Sequence, residues 1–573
     1  MNQTNRHSEI VGFIWEVANL LRGDYKQSDY GKIILPLTVL RRLDCVLANT
    51  KQKVLDKLPK LKTTKLENID PILNRTAGYN FHNRSKYDFE KLIADPNQLA
   101  QNLRNYINGF SADAREIIEY FDFDKQIDRL EKSNLLFMVI KRFSEVDMHP
   151  DTLNNVQAGY LFEELIRKFS EISNETAGEH FTPREVIRLM VNLLFMGETE
   201  ILTKAGIVKT LYDPAGGTGG MLTVADAYVR ELNEEARLEL FGQEINPESY
   251  AIFKADMLIK GQNTANVKFG NSFTEDGLKN KKFDYMLSNP PFGVEWKKIK
   301  AQITQEHEDL GFAGRFGAGL PRVSDGSLLF LLHMIDKMKD DSRTAIVFNG
   351  SPLFTGSAGN GESEIRRWIL ENDLLEAIIA LPDQLFYNTG IFTYIWVLDK
   401  NKSPERKGKV QMVNAVDFYQ KMTKSLGNKR HFITENQIAE LTKIYGNFTE
   451  SKYCKIFDTT DFGYNRITVE QPKRNEVGEI ETDKKGKPKA DSKKRDYENI
   501  PLKEDIQAYF EKEVLPHLPE AWIDESKTKV GYEINFTKYF YEYKPLRSTT
   551  NIRSDINELR AKLQGLTSKA IKV

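Results

Sequence analysis

Short apolar runs alternate with helical patterns between residues 151 and 470, and this alternation constrains the fold more than any other feature of the chain. Seven runs rich in β-branched and aromatic residues are predicted strands, at 207–212, 238–245, 267–269, 283–287, 344–348, 375–381 and 393–398. Helical patterns follow several of them, for example at 220–232 and 248–260. Strands that alternate with helices form a mainly parallel sheet with helices on both faces. The sequence therefore predicts an α/β fold, which binds ligands at the carboxyl ends of its strands.

A predicted helical domain precedes this α/β region. Residues 1–150 carry apolar side chains at helical spacing, among them Ile10, Ile14 and Val17. The same residues include many lysines and arginines. Two interpretations stay open for this charge, an ordinary solvated surface or a helical face that contacts a DNA backbone or a partner protein.

Residues 471–573 are predicted to form a charged linker and a C-terminal helical extension. The stretch 472–496 is rich in Lys, Asp and Gly and indicates an exposed loop. Ser554 is the predicted N-cap of the helix beyond it. An apolar row with spacings of three and four residues follows, at Ile556, Leu559, Leu563, Leu566 and Ala570. Such a row either packs on the same chain or docks on a helix of a partner subunit.

The charge balance limits how the chain can contact nucleic acid. Its 573 residues carry 81 Lys and Arg against 82 Asp and Glu, so DNA contact must come from local patches or a partner. Cys45 and Cys454 lie far apart, which argues against a disulfide scaffold and a zinc site. No apolar run approaches the ~18 to 20 residues that cross a bilayer, and the first residues form no signal region. We expect a cytoplasmic protein with no metal and no membrane contact.

A glycine turn joins the first predicted strand to a helix. It reads Asp213-Pro214-Ala215-Gly216-Gly217-Thr218-Gly219-Gly220, and its glycines allow the backbone to approach a ligand closely. The carboxylate of Asp213 would repel a pyrophosphate, and no Gly-Lys-Ser/Thr follows, so a dinucleotide site and a P-loop are both disfavoured. A ligand with a positive end suits Asp213 better. Taken alone, the turn could also be purely structural.

The next two predicted strands end in further polar residues. Glu244 closes the second strand, where a carboxylate can accept hydrogen bonds from both ribose hydroxyls of a nucleoside. The third strand leads into 269–273, a natural place for contacts to an adenine ring. Because the carboxyl ends of parallel strands share one edge, these residues predict a nucleoside site.

The fourth predicted strand leads into Asn289-Pro290-Pro291-Phe292. The prolines fix the backbone and supply no N–H, so the Asn289 oxygen and the Pro290 carbonyl can both accept from one amino group. Two such acceptors favour a more nucleophilic nitrogen and stabilise the charge that develops as it attacks a methyl group. Phe292 can stack on a target base that has left the duplex. The alternative, a rigid loop with Phe292 in the core, is disfavoured by the order of the preceding motifs.

With these motifs the chain resembles the modification subunits of type I restriction-modification systems, which are adenine-N6 DNA methyltransferases. The resemblance extends over nearly the whole chain. Besides the glycine turn and residues 289–292, it rests on 178–184 (GEHFTPR), 327–331 (SLLFL), 380–390 (ALPDQLFYNTG) and 531–536 (GYEINF).

The resemblance implies a Rossmann-like core that uses S-adenosylmethionine. It assigns to the cofactor's methionine part the segment Glu179, His180, Phe181, Thr182, Pro183 and Arg184. It also implies a complex with double-stranded DNA, a specificity subunit, a motor-nuclease restriction subunit and a second copy of this chain. Two positions depart from the family pattern: Asn271 stands where an acidic residue often contacts the adenine, and His180 where an aromatic residue is common.

Other substrates and roles remain to be weighed against this interpretation. Asn-Pro-Pro-aromatic can serve any planar amide or amino nitrogen, so a protein glutamine or an RNA base is an alternative target. Cytosine-C5 methylation needs a nucleophilic cysteine, and neither cysteine of the chain lies in the predicted site. A scaffold without catalysis is a third possibility, which Asp213, Glu244 and Asn289 argue against.

Overall fold

The computed structural model describes residues 12, 15–63, 66–173, 182–197, 203–387, 389–543 and 546–570. The described chain divides into two compact units, Met1–Ile534 and Asn535–Val573. No helix within these described ranges is both long and apolar enough to span a bilayer.

Helices dominate the first unit up to residue 173, as predicted. They span Gly31–Leu47, Lys51–Lys62, Asp70–Ala77, Phe89–Ile93, Leu99–Asn108, Ala112–Glu119, Phe123–Lys132, Leu136–Ser144 and Asn155–Ser173. Their apolar faces form one core, to which Ala251, Ile252 and Leu258 of the helix Pro247–Ile259 also belong. The helical region is therefore packed against the sheet-containing part of the same unit.

A large mixed sheet follows the helical region. The strands are β1 (Val208–Asp213), β2 (Arg237–Glu244), β3 (Val267–Phe269), β4 (Phe283–Ser288), β5 (Met338–Asn349), β6 (Leu375–Ala380), β7 (Thr393–Asp399), β8 (Lys409–Asn414), β9 (Gln420–Leu426), β10 (Lys429–Phe432), β11 (Cys454–Asp458), β12 (Gly463–Glu470), β13 (Asp496–Pro501), β14 (Trp522–Ile523) and β15 (Lys529–Tyr532). The large sheet has the order β11-β8-β6-β7-β5-β4-β1-β2-β3. Within it β7 and β11 run antiparallel to their neighbours, and the other pairings are parallel.

Helices cover both faces of this sheet. Neighbouring residues of a strand point to opposite faces, so two consecutive residues can contact different helix layers. Leu211 and Leu287 belong to one core with the helices Arg184–Phe195 and Gly220–Leu232. On the other face the Tyr212 hydroxyl lies 3.1 Å from Nε2 of His333, in the helix Ser327–Asp336. The predicted α/β fold is confirmed.

The remaining helices connect or cover the strands. They span Lys300–Leu310, Ser351–Phe354, Gly361–Glu371, Glu435–Asn447 and Ile506–Tyr509 in the first unit. A separate small antiparallel sheet pairs β12 with β13, β14 and β15. The charged stretch 472–496 leads from β12 towards β13 and is mostly exposed, as expected for a loop.

The second unit contains the helices Phe536–Tyr539 and Thr549–Ala570. The prediction that Ser554 is the N-cap was wrong, since the helix begins before it. Ser548 takes this place, and its Oγ accepts a hydrogen bond of 3.2 Å from the backbone N–H of Asn551. The predicted apolar row is exposed where its burial is described, with Ile556 44% and Leu559 65% accessible.

Candidate active site

A cavity of about 390 Å³ opens at the carboxyl ends of β1, β2, β3 and β4. It falls within the range of 300–1,000 Å³ typical of small-ligand sites. Eleven of the predicted site residues line it: Thr182, Asp213, Ala215, Gly216, Gly217, Thr218, Gly220, Glu244, Asn271, Asn289 and Pro291. Of the other predicted residues, Glu179, His180 and Phe181 lie outside the described part of the chain. Gly219, Pro290, Phe292 and Pro183 adjoin lining residues in the sequence, and Arg184 lies two residues after Thr182.

Asp213 is the last residue of β1 and joins two parts of the site. Its Oδ1 accepts hydrogen bonds from the Ala215 backbone N–H at 2.9 Å and from the Ser288 hydroxyl at 2.8 Å. Ser288 ends β4, directly before Asn289. Burial raises the pKa of Asp213 from 3.8 to about 7, although both hydrogen bonds favour the ionised form. A positive group in the cavity would favour that form further.

The glycine turn lies against the ring of Phe253. A Cβ built on Gly216 would lie 2.7 Å from Phe253 Cε1, and one on Gly219 would lie 2.5 Å from Phe253 Cδ2. Gly217 and Gly219 both have φ in the left-handed region, at +53° and +83°, but a Cβ on Gly217 would meet open space. The turn thus needs glycine on one side for packing and exposes backbone on the other.

Glu244 ends β2 and is held by the backbone at both carboxylate oxygens. Oε2 accepts from the Gly217 N–H at 2.8 Å, and Oε1 accepts from the Asn246 N–H at 2.7 Å. Burial raises the pKa of Glu244, and the backbone hydrogen bonds oppose that shift. The carboxylate is fixed in orientation and ready to accept further donors in the cavity.

Asn271 lies in the loop after β3, and the hydrogen bonds it makes within the described part of the chain are local. Its Oδ1 accepts from the Phe273 backbone N–H at 2.8 Å. The Arg315 guanidinium stabilises the same loop by donating hydrogen bonds to the carbonyl oxygens of Ser272 at 3.0 Å and Phe273 at 2.7 Å. These contacts were not predicted, because Arg315 lies far from the loop in sequence, in a region without a strand or motif signal.

Asn289 follows β4 and is 7% accessible. Its Nδ2 donates to the Thr182 hydroxyl at 2.9 Å, so the segment predicted to lie near the cofactor meets the Asn-Pro-Pro-Phe motif. The Phe292 ring is partly exposed and lies edge-on to the Phe386 ring, with 6.4 Å between ring centroids. The structure therefore brings residues from widely separated segments into one site.

Pro183 and Arg184 follow Thr182 at the start of the helix Arg184–Phe195. The Pro183 carbonyl accepts from the backbone N–H groups of Val186 and Ile187. Burial lowers the pKa of Arg184 to about 9. Pro183 is the N-cap of the helix that directly follows Thr182.

Comparison with protein families gives two matches. The model of the family described as N-6 DNA Methylase matches residues 155–483. The model described as HsdM N-terminal domain matches residues 10–143.

The proteins to which the chain is similar include two curated methylase subunits and one solved structure. The methylase subunit of the type I restriction enzyme MjaIX from Methanocaldococcus jannaschii is 26% identical over 462 residues, 77% of each chain. The HindI methylase subunit from Haemophilus influenzae is 30% identical over 263 residues, 45% of this chain and 54% of the relative. The crystal structure of a type I restriction-modification methyltransferase subunit from Streptococcus thermophilus has a TM-score of 0.63 at 23% identity, over 80% of this chain and 97% of that one. This last similarity concerns the fold.

Proposed function

Because the chain belongs to the N-6 DNA methylase family, we propose that its cavity transfers a methyl group from S-adenosylmethionine to N6 of adenine in DNA. The resemblance to type I modification subunits is confirmed, and the protein is an adenine-specific DNA methyltransferase. This membership favours DNA over the protein glutamine and RNA substrates that the sequence motifs alone left open.

The residues of the cavity fit S-adenosylmethionine. Both oxygens of Glu244 are oriented by backbone donors, which suits it to accept the ribose hydroxyls. The open space beside Gly217 lets the backbone approach the ligand, and Asp213 offers a buried negative charge to a cationic group. The loop that carries Asn271 and Phe273 lines the cavity where an adenine ring can lie. When bound, S-adenosylmethionine supplies a methyl group on a positively charged sulfur.

Asn289 is the residue on which the proposed chemistry depends. Its amide donates to Thr182 through Nδ2, so Oδ1 is the amide atom that can accept from the adenine amino group. Accepting that hydrogen bond stabilises the positive charge on the nitrogen during direct methyl transfer, and the nitrogen then loses its proton to solvent.

Phe292 offers a ring to the target base. A base must leave the duplex to reach such a site, and methyltransferases solve this by base flipping. Stacking on an aromatic ring contributes about 1 to 3 kcal/mol per base. Phe292 packs against Phe386 and stays partly exposed.

The contact between Asn289 and Thr182, in the cavity that Asp213 and Glu244 also line, is the observation that carries this proposal. The test is to purify the chain with its natural neighbours, confirm S-adenosylmethionine binding by calorimetry and map methylated bases in incubated DNA. Methylated N6-adenine at a defined sequence is the expected product. Absence of cofactor binding, or methylation of another base, would refute it.

We further propose that the chain works as one subunit of a complex. The similar proteins are methylase subunits of type I restriction enzymes, which points to a specificity subunit that reads the DNA sequence and a motor-nuclease subunit that cuts. In this proposal the helical domain at residues 1–150 contacts DNA or a partner, residues 151–470 catalyse, and the C-terminal extension docks the specificity subunit. A second copy of the chain joins the complex, which acts on double-stranded DNA in the cytoplasm.

A further inference from the structure

Strands β9 and β10 form a two-stranded hairpin that stands apart from the large sheet. We name residues 420–432 the basic hairpin. Between residues 418 and 434 the sequence contains no Asp or Glu, but it contains Lys421, Lys424, Lys429 and Arg430. The chain as a whole has a net charge of -1, so this is a local concentration of positive charge.

Three of these cations face solvent. Lys421, Lys424 and Arg430 are exposed, and none of them forms a salt bridge with any residue that the structure describes. Lys429 has a different place, since it is buried and pairs with Glu185. The exposed cations are thus available to an anionic partner, while Lys429 is used within the protein.

Backbone hydrogen bonds fix the basic hairpin to the loop after β6. The Asn428 N–H donates to the Tyr387 carbonyl at 2.7 Å, and the Arg430 N–H donates to the Gln384 carbonyl at 2.8 Å. Lys429 Nζ donates to the Leu385 carbonyl at 2.9 Å. These contacts hold the turn and β10, and β10 pairs with β9, so the hairpin keeps its cations in a more defined position than a free loop would.

The same loop contacts the catalytic motif. Phe386, between the anchoring residues, lies against the Phe292 ring. The hairpin also follows β8, which runs parallel to β6, so it leaves the sheet at the carboxyl edge where the cavity lies. Glu185, the partner of Lys429, lies three residues after Thr182. Two separate connections therefore tie the basic hairpin to the site.

From this placement we infer that the basic hairpin binds the phosphate backbone of the DNA strand from which the target adenine is turned out, through Lys421, Lys424 and Arg430. The inference rests on the proposed function. Lysine and arginine contacts to phosphates position a protein on DNA without reading its sequence. Such contacts hold the strand beside Phe292 while the base is extruded.

The test compares two triple variants of the complex that contains the full chain. In the hairpin variant Lys421→Ala, Lys424→Ala and Arg430→Ala are combined. In the control variant Lys484→Ala, Lys485→Ala and Lys487→Ala remove the same charge from the exposed stretch 472–496. Melting temperature and S-adenosylmethionine affinity are measured first and are expected to match the wild type in both variants.

Methyl transfer is then measured against DNA concentration at several salt concentrations. For the hairpin variant we expect KM for DNA to rise about tenfold or more, with a much smaller change in kcat. The slope of log KM against log salt should fall by roughly 2 to 3, because each lost phosphate contact removes about 0.9 from it. The control variant should keep the wild-type KM and slope.

Three results would overturn the inference. They are an unchanged KM in the hairpin variant, an equal change in both variants, and loss of a copurifying protein partner with DNA affinity intact. A wild-type complex that binds S-adenosylmethionine but methylates no DNA would refute the proposed function, and the inference with it. That failure is seen in the wild type before any variant is compared.

Discussion

Nδ2 of Asn289 donates a hydrogen bond of 2.9 Å to Oγ1 of Thr182, a residue 107 positions earlier in the chain. The contact joins the segment before the glycine turn to the residue that the proposed mechanism places on the adenine amino group. In this orientation the Thr182 hydroxyl accepts from Nδ2 and holds one end of the Asn289 amide, whose acceptor atom is Oδ1.

Thr182→Ala should therefore lower kcat by about two- to tenfold, the effect of losing one hydrogen bond of about 0.5 to 1.5 kcal/mol. Thr182→Ser keeps the hydroxyl and should retain most activity. Steady-state methyl transfer at saturating cofactor and DNA measures both. Equal losses in the two variants would point to packing instead of the hydrogen bond.

Asn289→Ala should leave S-adenosylmethionine binding intact and lower kcat by roughly 10²- to 10³-fold, as when one donor is removed from a charge-stabilising site. Asn289→Asp keeps an oxygen acceptor and should fall between the wild type and Asn289→Ala. Calorimetry gives the binding constant, and single-turnover methyl transfer gives the rate. Near-native activity of the alanine variant would contradict the assigned role.

Gly216→Ala should destabilise the protein by about 1 to 3 kcal/mol, because the new Cβ would meet the Phe253 ring in a packed core. Phe253→Leu combined with Gly216→Ala should recover part of that loss, a coupling that a double-mutant cycle measures. Gly159→Ala, at a helical glycine with open space around it, is the control and should be neutral or stabilising. Additive effects of the two core substitutions would refute the contact.

Cofactor affinity should depend on pH through Asp213. Its pKa is raised to about 7, so below that pH the group is increasingly protonated and attracts a cationic ligand less. Binding of S-adenosylmethionine should weaken as pH falls from about 8 to 6 and should release protons near pH 7. Asp213→Asn should bind more weakly and lose this dependence. Calorimetry in buffers of different ionisation enthalpy detects the proton release. If no protons are released near pH 7, Asp213 does not control cofactor affinity.

The raised pKa of Asp213 also makes folding stability depend on pH, but in the opposite direction to cofactor affinity: stability falls as pH rises. An aspartate whose pKa is 3.8 when unfolded and about 7 when folded contributes stability at low pH and loses it as pH rises through 7. The asparagine variant should therefore gain stability relative to wild type above pH 7. Chemical denaturation at pH 5 and pH 8 compares the two proteins.

Ile556→Asp combined with Leu559→Asp should weaken copurification of the specificity subunit while leaving S-adenosylmethionine affinity unchanged. The two side chains are 44% and 65% accessible, so the exchange costs the chain little stability. Lys562→Ala on the same helix is the control. Undiminished recovery of the partner with the double variant would contradict docking through this row.

Strand positions were predictable because strands buried on both faces are continuous apolar runs. β3 has the predicted bounds, and β1, β2 and β4 differ by a residue at their ends. β5 begins at Met338, six residues before the predicted start. The prediction missed these residues because the first half of the strand is polar and partly exposed. Pairing with β4 extends β5 to Met338, and the sequence pattern does not reveal this pairing.

The common location of Asp213, Glu244 and Asn289 in one cavity was predictable because each residue type has a direct chemical reason at the end of its strand, and their roles stay predictions. The contacts that support them were not, since Ser288, Phe253 and Arg315 act through long-range packing. Strands β8 to β15 were not predicted. Strands β12 to β15 pair antiparallel, and a charged stretch separates β12 from β13, so no alternation with helices marks them.

The Phe253 ring under the glycine turn also bears on redesign of the enzyme. A methyltransferase that is to accept donor analogues with larger transferable groups needs a larger cavity. Here one aromatic ring packs beneath the turn, so a smaller residue at position 253 should let the glycine backbone move towards it and deepen the cavity while the side chains of Asp213, Glu244 and Asn289 stay unchanged.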